Sequence, residues 1–354
     1  MLGWRRFVWV GVGGSVAILL VLAIFILSMN PFGNLPHLVF ASHAITDINQ
    51  RFQFPALIRS KKYDSAVIGA SDSRLLRPVA LERVFGGRMV NLAINAGQAY
   101  EQYRLADLFM REVDHPRTLL IGLDHVWCDD DADTDRITSR GFPEWMYDDN
   151  SWNDFVYMLN ATAVEISGRR LGVALGINKG RFPAGYEVFT PPESAYDPVK
   201  VRRKLWKDEQ PHAIEAVVPA YIPTSAKRES WRFPALIWLA EIVNRFEGRV
   251  VLAFMPLHVA SQPTPGSEEA ARQEECKSRI AAIAQRKGVP LIDFDIPSKI
   301  TTKDANYWDP RHYRIAIAER IVDDIERALA TRQDDPDGDW RYVDGPRTAA
   351  IATN

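Results

Sequence analysis

Apolar positions along the chain fall into runs of three kinds. From Phe7 to Met29 no charged residue occurs, and about 23 residues at a helical rise of about 1.5 Å cover the roughly 30 Å of a bilayer's hydrocarbon. Further on, residues 65–70, 89–94, 118–124, 249–257 and 290–294 are short, rich in β-formers and bounded by turn residues, the pattern of buried strands. Between them, residues 99–113, 231–246 and 268–286 repeat apolar positions at helical spacing, and 314–330 closes the series. Strands alternating with helices predict an α/β domain with about five parallel strands joined by right-handed crossovers.

Residues 128–230 break this rhythm, being rich in Trp, Tyr, Pro and Asp, with only 152–167 strongly helical. They read as a large insertion after the third strand. Loops at the carboxyl ends of strands surround the ligand crevice in open α/β sheets, so the insertion is assigned to substrate selection, with a packing subdomain as the blander reading. Trp127, Trp145 and Trp152 near it could stack on sugar rings, although a core role is the commoner one for aromatic residues. Residues 30–35 carry proline and glycine and read as a linker, and the folded domain is expected to begin within 36–60. The expected division is an N-terminal membrane helix over 1–29, a folded domain over 30–332, and a polar tail over 333–354 expected to be disordered. No internal repeat is visible.

Composition narrows the class. With 47% apolar and 25% charged residues the chain is globular, and a net charge of −2 with a pI near 6.4 gives nucleic acid no electrostatic footprint. Arg5 and Arg6 precede the first apolar run, so the positive-inside rule keeps the N-terminus cytoplasmic and sends the remainder outward. The run is longer than a usual signal-peptide core and lacks a clear small-x-small site, which favours an uncleaved anchor over a cleaved signal. Cys128 and Cys276 are the only cysteines, too few for a disulfide framework or a zinc site; whether they pair is open. No metal or cofactor is expected. The acidic stretch 128–135 lacks the glycine and terminal glutamate of an EF-hand loop and reads as a solvated loop.

Four short stretches can carry chemistry. Ser65-Ala66-Val67-Ile68-Gly69 would end in a sharp turn with Ser71 just beyond it, where free N–H groups of a following helix could aim at an approaching group; helix capping by Ser71 or Ser73 explains the same residues. Asp309 and His312, with Pro310 between them, would lie on one face of a helix's first turn, where the carboxylate could orient the imidazole as a general base. At the end of the second strand, Gly97 offers a backbone N–H and Asn95 a side-chain amide, which with the Ser71 N–H could form an oxyanion hole. Gly122-Leu123-Asp124-His125 ends the third strand. By position, Asp72, Asp124, His125 and His258 are further lining residues, although a buried structural role suits His258 better.

Gly69-Ala70-Ser71, Gly97 and Asp309-Pro310-Arg311-His312 occur in the order of the SGNH/GDSL hydrolase blocks, and the chain resembles that superfamily over 63–330 apart from the insertion. The resemblance implies a three-layer flavodoxin-like fold, with Ser71 as nucleophile, His312 as base and Asp309 as its orienter. Two departures stand out: Ala70 replaces an acidic residue, and Asp124 stands near the place of the oxyanion-hole asparagine. An ionised carboxylate accepts hydrogen bonds and cannot donate them. With a membrane anchor, the chain is similar to divergent envelope members such as polysaccharide O-acetyltransferases and D-alanyl transfer proteins. That implies an exported esterase or O-acyltransferase acting on an acylated envelope polysaccharide, with a membrane-bound partner as acyl donor in the transferase case. The alternatives are a catalytically silent scaffold or glycan-binding component, and a lipase or thioesterase with a deep apolar groove.

Overall fold

The computed structural model describes residues 2–33, 35, 49–150, 154–180, 182–207 and 214–343. Its helices are α1 (Leu2–Met29), α2 (Gln50–Arg59), α3 (Pro78–Phe85), α4 (Ala99–Glu112), α5 (Asp154–Tyr157), α6 (Ala161–Ala174), α7 (Pro198–Trp206), α8 (Ser225–Ser230), α9 (Leu236–Arg245), α10 (Glu268–Lys287) and α11 (Ile315–Thr331). The strands are β1 (Ser65–Ile68), β2 (Met89–Asn91), β3 (Thr118–Leu123), β4 (Arg249–Phe254), β5 (Leu291–Asp293) and β6 (Arg341–Tyr342). They form one six-stranded sheet of order β2-β1-β3-β4-β5-β6. The first five strands are parallel and β6 runs antiparallel to β5.

All five expected strands are present. Their near-continuous apolar sequence follows from burial on both faces: β3 is buried at every position. Alternate strand residues Val67, Leu120, Val251, Ala253 and Ile292 share one core with Ala80 and Leu81 of α3 and with Ile317, Ile321, Val322 and Ile325 of α11. The helices obey ordinary end rules. Ser267 caps α10 by accepting from the Ala270 N–H at 3.1 Å, Glu268 and Glu269 sit at its positive end, Arg286 and Lys287 at its negative end, and Gly288 closes it in the left-handed region.

The chain divides into two compact units, one of Met1–Lys61 with Phe142–Pro183 and the other of Lys62–Gly141 with Ala184–Asn354. The expected single folded domain with one insertion is therefore corrected: part of the insertion packs with the N-terminal region. The cause is aromatic. Phe32 meets Phe52 and Trp145 at centroid distances of 5.7 Å, and Trp145 stacks on Tyr157 at 5.5 Å, while Arg170 of α6 donates to the Asn30 carbonyl at 2.5 Å. Trp145 thus serves packing, as does the fully buried Trp127; Trp152 lies outside the described residues. The expected helix over 152–167 is instead α5 and α6, separated by Asn160, which caps α6 through the Ala163 N–H. α1 is the one helix among the described residues long and apolar enough to cross a membrane, a test that a signal sequence near the N-terminus also passes.

The expected disordered tail is also corrected over its described part. Trp340 is buried against Phe294, the Arg327 guanidinium lies 4.8 Å above its ring, and Arg341 and Tyr342 pair with β5. Residues 344–354 lie outside the described residues.

Cys128, just past β3, is bonded to Cys276 of α10. The bond spans 148 residues of sequence, so it removes much chain entropy from the unfolded state. Replacing both cysteines with alanine is expected to lower stability by about 2–4 kcal/mol, seen as a lower urea midpoint; an unchanged midpoint would contradict this.

Candidate active site

The sheet order places β2 and β3 on opposite sides of β1. Chain progression therefore reverses between β1 and β3, and the crevice beyond their carboxyl ends is where open α/β sheets bind ligands. Ser71 opens the short 3-10 helix Ser71–Leu75 just beyond β1. Its platform depends on Ser73, which is fully buried against Gly69, just past β1, and Gly122 of β3. A Cβ on Gly69 would lie 2.4 Å from the Ser73 Oγ, and one on Gly122 of β3 would lie 1.9 Å from it. Gly69 is thus required by close approach; it is not among the glycines with positive φ. Gly122→Ala is expected to cost about 1–3 kcal/mol through overpacking and to displace the Ser71 turn, so that melting temperature and activity both fall. Wild-type values for both would contradict this.

Ser71 Oγ lies 2.8 Å from His312 Nε2, and His312 Nδ1 lies 2.8 Å from Asp309 Oδ2. With Nδ1–H donating to the carboxylate, Nε2 is left to accept the Ser71 proton. The structure therefore brings these three expected residues together. It corrects their local geometry, however. Asp309 does not cap a helix, since α11 begins only at Ile315. Instead Asp309–Arg311 forms a bend closed by a Tyr307–Tyr313 bridge and by the Trp308 N–H donating to the His312 carbonyl at 2.8 Å. Asp309 Oδ1 accepts the Arg311 and His312 N–H groups, both at 3.0 Å. Burial alone would raise the Asp309 pKa, but the His312 ring and these N–H groups outweigh it and hold the carboxyl below its ordinary range. At a third exposed, against a quarter for the His312 side chain, the pair remains reachable from solvent.

Four residues unremarked in the sequence fix this arrangement. The Tyr313 hydroxyl donates to the Asp72 carbonyl and ties the histidine bend to the serine turn. Phe189 sets its ring edge-on to His312 at 5.3 Å, Arg74 lies 4.3 Å above Phe189, and Glu187 pairs with Arg74 at 3.1 Å. Tyr313 directly follows the histidine but has no local pattern to betray its partner. Phe189 lies in the segment expected to serve substrate selection and packs beside the imidazole.

A cavity of about 200 Å³ adjoins Ser71 and is lined also by Asp72, Gly97, Gln98, Asp124, His125 and Arg311 among others. Asn95, half-buried on the same turn, is not among the lining residues. A second cavity of about 230 Å³ shares Asp124, His125, Asp129, Leu257 and Arg311. His258 lines neither: it is fully buried, edge-on to Trp206 and Tyr307, and accepts the Ala260 N–H at Nδ1. Its lining role is corrected to a scaffolding one, because its backbone N–H holds the Pro310 carbonyl of the histidine bend at 3.0 Å.

Electrostatics in the cavity favour neutral groups. Burial first, and then Arg311, lower the His125 pKa to about 4, so this histidine is uncharged at neutral pH. Burial raises both Asp72, to about 6, and Asp124, which Asp72 pushes up further. Among the described residues no group of three or more His, Cys, Asp or Glu side chains is arranged to hold a metal. Compared with protein-family models the chain matches none, and comparison with curated proteins gives no match.

Proposed function

We propose that the chain is a serine esterase or O-acyltransferase of the SGNH/GDSL type, anchored by α1 and acting outside the cytoplasm on an acylated envelope polysaccharide. The observation that carries this reading is the Ser71–His312–Asp309 relay at the switch point of the sheet, with both hydrogen bonds at 2.8 Å. The strand order β2-β1-β3-β4-β5 is that of a flavodoxin-like sheet, which supports the fold part of the resemblance. The Cys128–Cys276 bond suits an oxidising compartment and agrees with export.

The chemistry follows from the relay. His312 takes the Ser71 proton as Oγ attacks an acyl carbonyl, Asp309 stabilises the imidazolium that forms, and His312 then protonates the departing alcohol. Either water or a sugar hydroxyl can resolve the acyl-serine, activated by the same imidazole. The Ser71 and Gly97 N–H groups are the backbone candidates for the oxyanion. The cavity lining is rich in polar and charged side chains, which supports a polar substrate over the apolar chain of a lipase or thioesterase substrate.

A serine-reactive fluorophosphonate tests the reading. It is expected to label the wild-type chain at Ser71; absence of labelling in folded protein would support the silent-scaffold alternative and overturn the enzyme reading.

A further inference from the structure

The oxyanion site has a third wall besides Ser71 and Gly97. Ile68 of β1 pairs with Ile121 of β3, and Ser71 and Asp124 each stand three residues beyond that pair (71 − 68 and 124 − 121). The two residues line the same cavity together with Gly97. Asp124 is 9% exposed; its Oδ1 accepts the Val126 N–H at 3.2 Å, and among the described residues no donor meets its other oxygen. Asp124 thus shares a cavity with Ser71 and has one carboxyl oxygen that no protein donor meets among the described residues; ionised, it would repel an oxyanion formed there.

We propose that Asp124 is a further catalytic residue, whose carboxylic acid form donates a hydrogen bond to the oxyanion created when Ser71 attacks the acyl carbonyl. The inference rests on the Ser71 reading. In the step, the Oγ–C bond forms, the Oγ proton passes to His312 Nε2, and the carbonyl π pair moves onto oxygen. The Asp124 O–H and the backbone N–H groups stabilise that oxygen. When the intermediate collapses, the pair returns, the C–O bond to the alcohol breaks, His312 delivers its proton to the leaving oxygen, and the Asp124 proton stays where it was.

What keeps the acid form is the neighbourhood. Asp72, on the turn after β1, faces Asp124 and is buried too, while Asp129 on Asp124's own loop adds a further negative charge. Two buried carboxyls so placed do not both ionise cheaply. Arg311, from the histidine bend, pulls the other way but ranks below burial and Asp72. Neighbouring His125 is neutral near pH 7, and the other titratable neighbours acting on Asp72 are the His312 ring and the Asp295 carboxyl. A carboxylic acid held neutral by its site is a strong donor to a developing oxyanion.

The sign follows: the donor exists below the raised Asp124 pKa, so wild-type activity is expected to fall as pH rises through it. The test measures p-nitrophenyl acetate turnover against pH for wild type, Asp124→Ala and Asp124→Asn, with fluorophosphonate labelling of each. Asp124→Ala is expected to lose about 10²–10³-fold in kcat. Asp124→Asn keeps a side-chain donor and the acceptor for the Val126 N–H; it is expected to recover at least about tenfold over the alanine variant and to lack the alkaline fall. A fall that persists in Asp124→Asn, an asparagine variant no faster than alanine, or an alanine variant at the wild-type rate would overturn the proposal. Wild-type labelling at Ser71 separates these failures from failure of the Ser71 reading, which would show as no labelling at all.

Discussion

Ser71→Ala is expected to lower kcat/KM for an activated ester by about 10⁴–10⁶-fold, the scale on which removal of a serine nucleophile acts in enzymes of this chemistry. The change deletes one partly exposed hydroxyl whose side-chain partner is the His312 ring. Alanine fits the turn, and the His312 side chain is about a quarter exposed, so stability is expected to stay within about 1 kcal/mol of wild type. Steady-state hydrolysis of a p-nitrophenyl ester with circular dichroism as the folding control measures both. A folded variant retaining wild-type activity would remove Ser71 from the chemistry.

His312→Ala is expected to have an effect nearly as large, because without the imidazole no group takes the Ser71 proton or returns it to the alcohol. Asp309→Asn separates orientation from base strength. An amide at 309 can donate to Nδ1, which leaves the proton on Nε2 and turns the ring away from its role as acceptor; a loss of about 10⁴-fold in kcat is the expected scale for this tautomer reversal. The Asp309 Oδ1 acceptor for the Arg311 and His312 N–H groups is kept by asparagine, so the bend itself is expected to survive. Combining the substitution with Ser71→Ala is expected to cost little beyond Ser71→Ala alone, as residues acting in one relay are strongly non-additive. Independent, multiplying losses would contradict a shared relay.

How far these features were legible depends on whether their causes are local. The five parallel strands could be read because double burial writes continuous apolar runs, and α4, α10 and α11 because their apolar faces repeat at helical spacing. β6 could not: Trp340 and Tyr342 follow a polar run with no strand-length apolar pattern, and the burial of Trp340 against Phe294 depends on residues far away in sequence. The Ser71, Asp309 and His312 grouping was legible only through the spacing of known blocks. The helix expected at Asp309 was wrong because an Asp-Pro pair that caps a helix also starts a tight bend, and side-chain acceptance of the two following N–H groups fits both. Tyr313 and Phe189 were invisible, since their partners Asp72 and His312 lie 241 and 123 residues distant (313 − 72 and 312 − 189). The Cys128–Cys276 bond was undecided for the same reason: proximity is a property of the fold.

Asp124 shows a further limit. Its sequence position suggests a lost donor, whereas burial and neighbouring Asp72 raise its pKa, a shift toward the protonated form that the proposed donor role requires.

The most direct test of the central claim is intact-mass measurement of the chain after brief incubation with p-nitrophenyl acetate, followed by peptide mapping. An adduct of one acetyl group on the peptide carrying Ser71, formed by wild type and absent from Ser71→Ala, is the expected result. Turnover without that adduct under rapid acid quench, or an identical adduct on Ser71→Ala, would contradict acylation at Ser71.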